Sequence, residues 1–310
     1  MTHRSIHPAA PLVSGLIAAL AFLAGAAAFE IGRASAQTDS PPAESWTASP
    51  EPAAPAISAP VLPVAGTVPD LRPVVALVMD DAGIDPQLTR RVMTLGIPLT
   101  LSFLPYADQT PELAMMAAGQ GHTIFLHMPM EPFGLEDPGP GALNRYLSPE
   151  ETARRVNAAL AQVPGAIGLN NHMGSAFTAD LSAMRAALAP LAGRDLMFLD
   201  SLTSGQSRAG QAAHDLGLTT LRRDIFIDHD AGEIDTMLDA LVEEAHRRGQ
   251  AIAIGHPRPG TLDGLERWLA TDAARSVRFV TISEYVELMQ QPGQHTSVSD
   301  ETMGLFGGAE

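Results

Sequence analysis

The sequence predicts an α/β fold, a distorted (β/α) barrel of seven or eight strands. Two observations support it: short apolar runs alternate with amphipathic stretches over roughly 220 residues, and nearly every apolar run ends in a polar residue capable of chemistry. A doubly wound open sheet has the same local pattern, so periodicity alone does not choose between them. In both architectures the chemistry lies at the carboxyl ends of the strands.

The predicted strands are apolar on both alternating faces, as is typical of parallel strands covered on both sides. They are residues 74–79, 99–104, 123–128, 166–171, 196–200, 225–228, 251–255 and 278–282. The clearest helix signal is Ser148 as N-cap, Pro149 at the first helical position and Glu151 closing a capping box. Similar helical stretches cover residues 180–191 and 234–246.

Residues 1–36 indicate export from the cytoplasm. Arg4 precedes an apolar run at residues 11–29, and residues 34–36 (Ala-Ser-Ala) match the small-x-small pattern of a signal peptidase site. The run is also nearly long enough to span a bilayer, so a cleaved signal peptide and a single-pass inner-membrane anchor are both open. Either way, we expect the bulk of the chain to be periplasmic, secreted or anchored to the inner membrane by its N-terminus.

Three segments follow the export signal. Residues 37–71 are rich in Pro, Ala and Ser and contain too few large apolar residues to offset their ordering entropy, which predicts a disordered linker. Residues 72–289 are the predicted barrel, and residues 290–310 are a predicted disordered tail.

Composition excludes several classes of function. The formal net charge of −16, without a Lys/Arg cluster, argues against a nucleic-acid partner. The absence of cysteine excludes thiolate catalysis and thiolate metal ligands, which leaves His and carboxylates as candidate ligands.

Potential ligands and acid/base groups follow the apolar runs. They are Asp80, Asp81, His127, Glu131, Asn170, Asn171, His172, Asp200, Ser201, Asp228, His229 and His256. Because the carboxyl ends of parallel strands share one face, we expect residues far apart in sequence to meet there. His229 is expected to lie in a solvated loop.

Asp80 and Asp81 leave the first strand in different directions, so one carboxylate could bind a metal ion while the other accepts a proton from water. The alternative is a turn-capping Asp. His127 and His172 with one carboxylate would make the open ligand set that suits zinc, although a lone His at a strand end is more often a hydrogen-bonded core residue. His256, held extended by the following proline, is a candidate general acid for a leaving amine, or else a structural His bonded to a carbonyl.

The chain resembles the divergent polysaccharide deacetylase family, a branch of the metal-dependent polysaccharide deacetylases (family 4 carbohydrate esterases). The resemblance covers residues 74–288 and rests on the motifs VALVMDDAG, FLPYA, GHTIFLHMPMEP, DPGPGAL, LNNHMGSAFTAD, FLDSLTS and AIAIGHPRP. It implies a deacetylase-like barrel that hydrolyses the acetamide of an N-acetylated envelope polysaccharide. It also implies that Asp80 is the catalytic base, Asp81 a metal ligand and His256 the catalytic acid.

Two motifs depart from the superfamily pattern. In the H-x-x-x-H metal pair, His127 fills the first place but Glu131 the second, and the R-x-P-x-G motif is replaced by residues 170–174. We therefore expect His172 to supply the second imidazole, with Glu131 hydrogen-bonding nearby or ligating directly. The other residues expected around the ligands or the substrate are Asn170, Asn171, Asp200 and Ser201.

The expected cofactor is a divalent metal ion, Zn²⁺, held by Asp81, His127 and His172. The altered motifs leave a second hypothesis open, a catalytically inactive envelope protein that binds glycan or a partner protein on the same fold. A hydrolase acting on an ester or a phosphate is a third, and the lack of clustered Arg and Lys weakens its phosphate version.

Overall fold

The computed structural model describes residues 70–230 and 232–290. The strands are β1 Val74–Ala82, β2 Thr100–Phe103, β3 Thr123–Met130, β4 Gly168–Met173, β5 Met197–Asp200, β6 Thr220–Arg222, β7 Ile225–Phe226, β8 Gln250–Gly255 and β9 Arg278–Val280. The helices are α1 Pro86–Met93, α2 Thr110–Gly119, α3 Pro149–Gln162, α4 Leu181–Leu188, α5 Ala209–Asp215, α6 Ile234–Arg248, α7 Pro259–Leu269, α8 Asp272–Arg275 and α9 Ile282–Gln290, with a 3₁₀ turn at Ala189–Leu191. Within these two ranges no helix is both long and apolar enough to cross a membrane.

Several predicted segments lie outside the described residues. These are the whole export segment, the linker up to residue 69 and the tail from residue 291 onward. The predicted signal peptide or anchor, the linker and the tail therefore stay predictions.

All strand pairs are parallel, in the order β6-β5-β4-β3-β2-β1-β8-β7, with β9 also paired to β1. Only residues 223–224 separate the two outermost strands, β6 and β7. The Arg223 amide donates to the Asp200 carbonyl of β5, and the Asp224 amide donates to the Ile252 carbonyl of β8. One short segment thus joins the two margins of the sheet, which confirms the distorted (β/α) barrel over the open sheet.

The two faces of each strand belong to different cores. In β1, Val75, Leu77 and Met79 pack under the helices, whereas Ala76 and Val78 pack inside the barrel. The interior also holds side chains from β3, β5, β8 and the start of α9, among them Phe125, Leu199, Ile254 and Ile282. This alternation decides which polar residues can enter the site at the carboxyl end of the barrel.

One glycine is required by this interior packing. A Cβ atom at Gly168 of β4 would lie 2.4 Å from the ring of Phe125, which is fully buried. We infer that residue 168 lacks a side chain because the Phe125 ring occupies that space.

The observed strands differ from the predicted ones mainly at their ends. β1, β3 and β4 continue beyond the predicted limits, so Asp80, Asp81 and His172 lie inside strands instead of following them. The predicted last strand ends at Val280, because Ile282 begins α9. β6 was not predicted, since its three residues are not an apolar run and two of them are exposed.

The predicted capping box forms only in part. The Ser148 hydroxyl accepts a hydrogen bond from the Glu151 amide at 3.2 Å, as an N-cap does. The Glu151 carboxylate does not reach back, because Arg154 and Arg155 bind it at 2.6–2.8 Å.

Candidate metal and acid/base site

Five predicted site residues come together at the carboxyl end of the barrel: Asp80, Asp81, His127, His172 and His256. Asp80 Oδ2 and Asp81 Oδ1 lie 3.6 and 3.4 Å from the same atom, His127 Nε2. Asp81 Oδ1 lies 2.9 Å from His172 Nδ1, and Asp81 Oδ2 lies 3.9 Å from His256 Nε2. Four strands or strand ends, β1, β3, β4 and β8, thus contribute to one cluster.

Asp81 enters this cluster because the backbone of β1 departs from regular alternation. A regular strand would direct Asp80 inward and Asp81 outward. Instead, Asp81 has a φ of +57°, and the pairing register with β2 shifts between Met79 and Ala82. A non-glycine residue in the left-handed region costs about 1–2 kcal/mol of conformational free energy. We infer that this conformation is kept because it places both carboxylates in one site.

Three ligand atoms fit a single cation. Asp81 Oδ1, His127 Nε2 and His172 Nδ1 are separated by 2.9, 3.2 and 3.4 Å. Ligand atoms about 2.0–2.1 Å from a tetrahedral zinc ion lie roughly 3.3–3.4 Å from one another. The triangle therefore has nearly the size that three zinc ligands would have.

Hydrogen bonding gives an independent test of this fit. Asp81 Oδ1 is buried, yet no described residue donates a well-directed hydrogen bond to it, although His172 Nδ1 is close. A buried carboxylate oxygen without a donor costs free energy unless a cation satisfies it. One carboxylate with two imidazoles is also a donor set typical of catalytic zinc with an open position.

Asn170 holds both the first carboxylate and the first imidazole. Its Oδ1 lies 2.8 Å from His127 Nδ1, and its Nδ2 donates to Asp80 Oδ1 at 2.7 Å and to Ser201 Oγ at 3.2 Å. Because an amide oxygen only accepts, His127 donates from Nδ1, which directs Nε2 toward the two aspartates. Asn170 is fully buried, so this side-chain network is shielded from water.

The charges in the cluster shift two pKa values in opposite senses. Burial alone would raise the pKa of Asp81, but the close approach of the His127 and His172 rings and their charge interaction outweigh it and hold that pKa well below its usual range. Burial alone would lower the pKa of His127, but Asp80 and Asp81 outweigh it and raise that pKa. A positive charge is therefore favoured between these residues, whether a proton or a metal ion supplies it.

His256 is held by Asp228, which the sequence placed among the potential ligands and acid/base groups without a specific role. Asp228, which is 2% exposed, lies with Oδ1 3.0 Å from His256 Nδ1, while its Oδ2 accepts from the His256 amide and the Thr261 hydroxyl at 2.8 Å. The pKa of Asp228 is lowered, because these interactions with His256 outweigh the effect of burial. The sequence signal for Asp228 was its position at the end of an apolar run. The same run contains Phe226, whose ring centre lies 5.3 Å from that of His256.

Three other predicted residues stand apart from the cluster. Both carboxylate oxygens of Glu131 are bound by Arg145, at 2.9–3.2 Å, so Glu131 fixes a loop. Asn171 bonds to the Met173 carbonyl and the Ser201 amide.

Asp200, the third, accepts hydrogen bonds from the Leu202 amide and the Ser207 hydroxyl. Asn171 and Asp200 alternate with Asn170 and Ser201 along their strands, so they face the opposite side of the sheet. Glu131 follows the end of β3, beyond the level of His127.

Comparison with known proteins places this arrangement in a family. The sequence model described as "Divergent polysaccharide deacetylase" matches residues 77–286. YibQ of Escherichia coli K12 is 34% identical over 194 residues, which are 62% of this chain and 61% of YibQ. A protein of Haemophilus influenzae is 36% identical over 196 residues, 63% of this chain and 70% of its own length. The crystal structure of ATU2773 from Agrobacterium tumefaciens is similar with a TM-score of 0.65 and 26% identity, over 69% of this chain and 89% of that chain.

Proposed function

The chain belongs to the divergent polysaccharide deacetylase family, and on that premise we propose that it is a metal-dependent hydrolase that removes acetyl groups from an N-acetylated envelope polysaccharide. The observation that carries the proposal is the cluster at the carboxyl end of the barrel. It combines three ligand atoms within 3.4 Å of one another with a separate carboxylate, Asp80, and a separate imidazole, His256.

Asp81, His127 and His172 would hold the divalent ion, which we propose to be Zn²⁺. When bound, such an ion supplies Lewis-acid polarisation of a carbonyl oxygen and acidification of water. Asn170 orients His127 so that its Nε2 lone pair faces the ion-binding position.

Asp80 would act as the general base. Asn170 holds its Oδ1, whereas its Oδ2 has no hydrogen-bond donor among the described residues and lies 3.6 Å from His127 Nε2. Oδ2 can therefore accept a proton from the water that attacks the acetamide carbonyl.

His256 would act as the general acid. With Nδ1 held by Asp228, its Nε2 points toward Asp81 and can protonate the nitrogen as the carbon–nitrogen bond breaks. The products are acetate and a free amino group on the sugar. The apolar run and small-x-small pattern of residues 11–36 support an envelope location, where such a glycan is within reach.

The test measures metal content and acetate release together. The purified full-length chain is expected to carry about one zinc per chain and to release acetate from N-acetylglucosamine oligomers. Asp80→Asn should retain zinc and release acetate about 10²–10⁴-fold more slowly. Asp85→Asn is the matched control, because Asn also caps a helix and Asp85 caps α1 at the surface. A correctly folded protein that binds no metal would contradict the proposal.

A non-catalytic envelope protein on the same fold is the second candidate. It is favoured by Glu131, which takes the place of the second metal-binding His and is tied to Arg145. This alternative predicts no acetate release from the parent protein and unchanged glycan or partner binding in His172→Ala.

A further inference from the structure

The β3–α3 loop, residues 131–148, exposes an unusual amount of apolar side chain. Seven large hydrophobic residues are exposed among those the structure describes, and three lie in this loop: Phe133 (58%), Leu135 (103%) and Tyr146 (86%). We infer that this loop is a subsite for a sugar further along the glycan, beyond the unit that adjoins the one deacetylated. This inference rests on the proposed function.

The loop encloses a cleft of about 330 Å³ with a mixed lining. Phe133 and Leu135 supply apolar surface, and Glu131, Asn144 and Arg145 supply polar groups. Tyr146 does not line the cleft but lies beside it, with its ring centre 6.0 Å from Cζ of Arg145. Among the described residues, none accepts a hydrogen bond from Asn144 Nδ2 or Arg145 Nη1, so both remain available as donors.

The position of the loop suits a sugar further along the glycan chain. Glu131 follows β3, and four residues of strand, on the order of 13 Å, separate it from His127. That distance lies beyond the acetamide under attack and within reach of the next units of a chain.

The loop is held in place before any ligand binds. Arg145 binds Glu131 across the loop, the Phe133 amide donates to Ser175 Oγ at 2.9 Å, and Leu143 bridges to Met130. The Glu131 carbonyl also accepts from the amides of residues 176 and 177. A surface fixed in this way loses little conformational entropy on binding.

The chemistry of the cleft matches a neutral glycan. Aromatic rings pack against the flat C–H faces of pyranose rings, and planar polar side chains bond to the hydroxyls at the ring edge. The paired Glu131 and Arg145 leave only Glu136 as an unbalanced charge in the lining, so nothing in the cleft selects an anionic sugar.

The experiment measures binding separately from turnover. In the full-length Asp80→Asn protein, the affinity for N-acetylglucosamine oligomers, from dimer to hexamer, is measured by calorimetry. We expect affinity to rise with chain length. Phe133→Ala and Tyr146→Ala should each weaken hexamer binding about five- to tenfold and reduce the advantage of hexamer over dimer.

Two control variants make the result specific. Met115→Ala removes an equally exposed side chain of α2 (59%) and should change nothing. Leu135→Ala should weaken hexamer binding less than either aromatic variant. Unchanged binding in both aromatic variants, or an equal loss in Leu135→Ala, would overturn the sugar subsite, the latter result indicating a general apolar docking surface.

Failure of the subsite and failure of the proposed reaction give different results. Length-dependent binding without acetate release by the wild-type chain would contradict the proposed reaction and support the subsite. Acetate release at a rate independent of oligomer length, with unaltered binding in the aromatic variants, would remove the subsite alone.

Discussion

The site contains two histidine arrangements that differ in the charge of the partner. His127 of β3 has its Nδ1 2.8 Å from an amide oxygen, that of Asn170, whereas His256 after β8 has its Nδ1 3.0 Å from a carboxylate oxygen, that of Asp228. A neutral partner orients a ring without adding charge, which suits a metal ligand. A carboxylate partner fixes the orientation and tautomer of a ring that transfers a proton, which suits a general acid. The residue that contacts each Nδ1 therefore distinguishes the proposed metal ligand from the proposed general acid.

The largest effect is expected from removing each ring in turn. His127→Gln should lose zinc and acetate release together, because it removes a ligand. His256→Gln should keep a full equivalent of zinc, and its kcat should be lower by about 10²–10⁴-fold. Elemental analysis and acetate assays on the same preparations check this, and equal zinc loss in both variants would erase the distinction.

Asn170→Ala should weaken zinc binding by about 10–100-fold, the usual effect of removing a group that orients a metal-binding His. Asn171→Ala is the control, because Asn171 is equally buried but bonds to Met173 and Ser201 on the other face of β4. Competition titration with a chelator measures both. If the two variants lose zinc equally, Asn170 acts through general stability.

Asp228→Asn should reduce kcat about tenfold, equivalent to about 1.4 kcal/mol, and leave zinc content unchanged, because the amide still bonds to the ring but carries no charge. Asp200→Asn is the matched control, a buried strand-end aspartate that bonds to Leu202 and Ser207 away from the site. A kcat for Asp200→Asn as low as that of Asp228→Asn would contradict the assignment.

The smallest effect is the pH dependence of unfolding. The pKa of His127 is raised, so its stabilisation is present below about pH 6.5 and is lost as the pH rises through the folded-state pKa. The pKa of Asp228 is lowered from 3.8, so its stabilisation is present above that pH and is lost as the pH falls through the folded-state pKa. Each change is about 1.4 kcal/mol per pH unit within its window.

Thermal unfolding of chelator-treated protein should therefore show maximal stability between these windows. Added zinc should abolish the loss on the alkaline side, because a bound cation replaces the proton on His127. Identical curves with and without zinc would argue against His127 as a ligand.

The order of elements and the meeting of residues were predictable from the sequence, because apolar runs ending in His and Asp directly reflect parallel strands and a shared end. What could not be predicted was the exact face of each residue. The predicted strands end before Asp80 and His172, whereas the true strands contain them. Asn170, Asn171 and Asp200 lie within predicted strands, but both faces of these strands are buried, so the sequence does not show which alternate residues face the interior.

Two further features depend on backbone and tertiary contacts that no local pattern reports. Asp81 reaches the site through a left-handed conformation, which an Asp-Asp pair does not signal. Glu131 faces Arg145, fourteen residues later, across a loop without regular structure. The partnership of Asp228 with His256 joins the ends of β7 and β8, which pair in the sheet although the two residues are 28 apart in sequence.

The short segment at residues 223–224 has a consequence for biogenesis. Its Arg223 amide donates to Asp200 of β5 and its Asp224 amide donates to Ile252 of β8. The second of these hydrogen bonds cannot form until β8 is in place. The same strand delivers His256. We therefore expect a chain emerging amino-terminus first from a ribosome to acquire the proposed acid only as the ring closes, which would keep incomplete chains inactive.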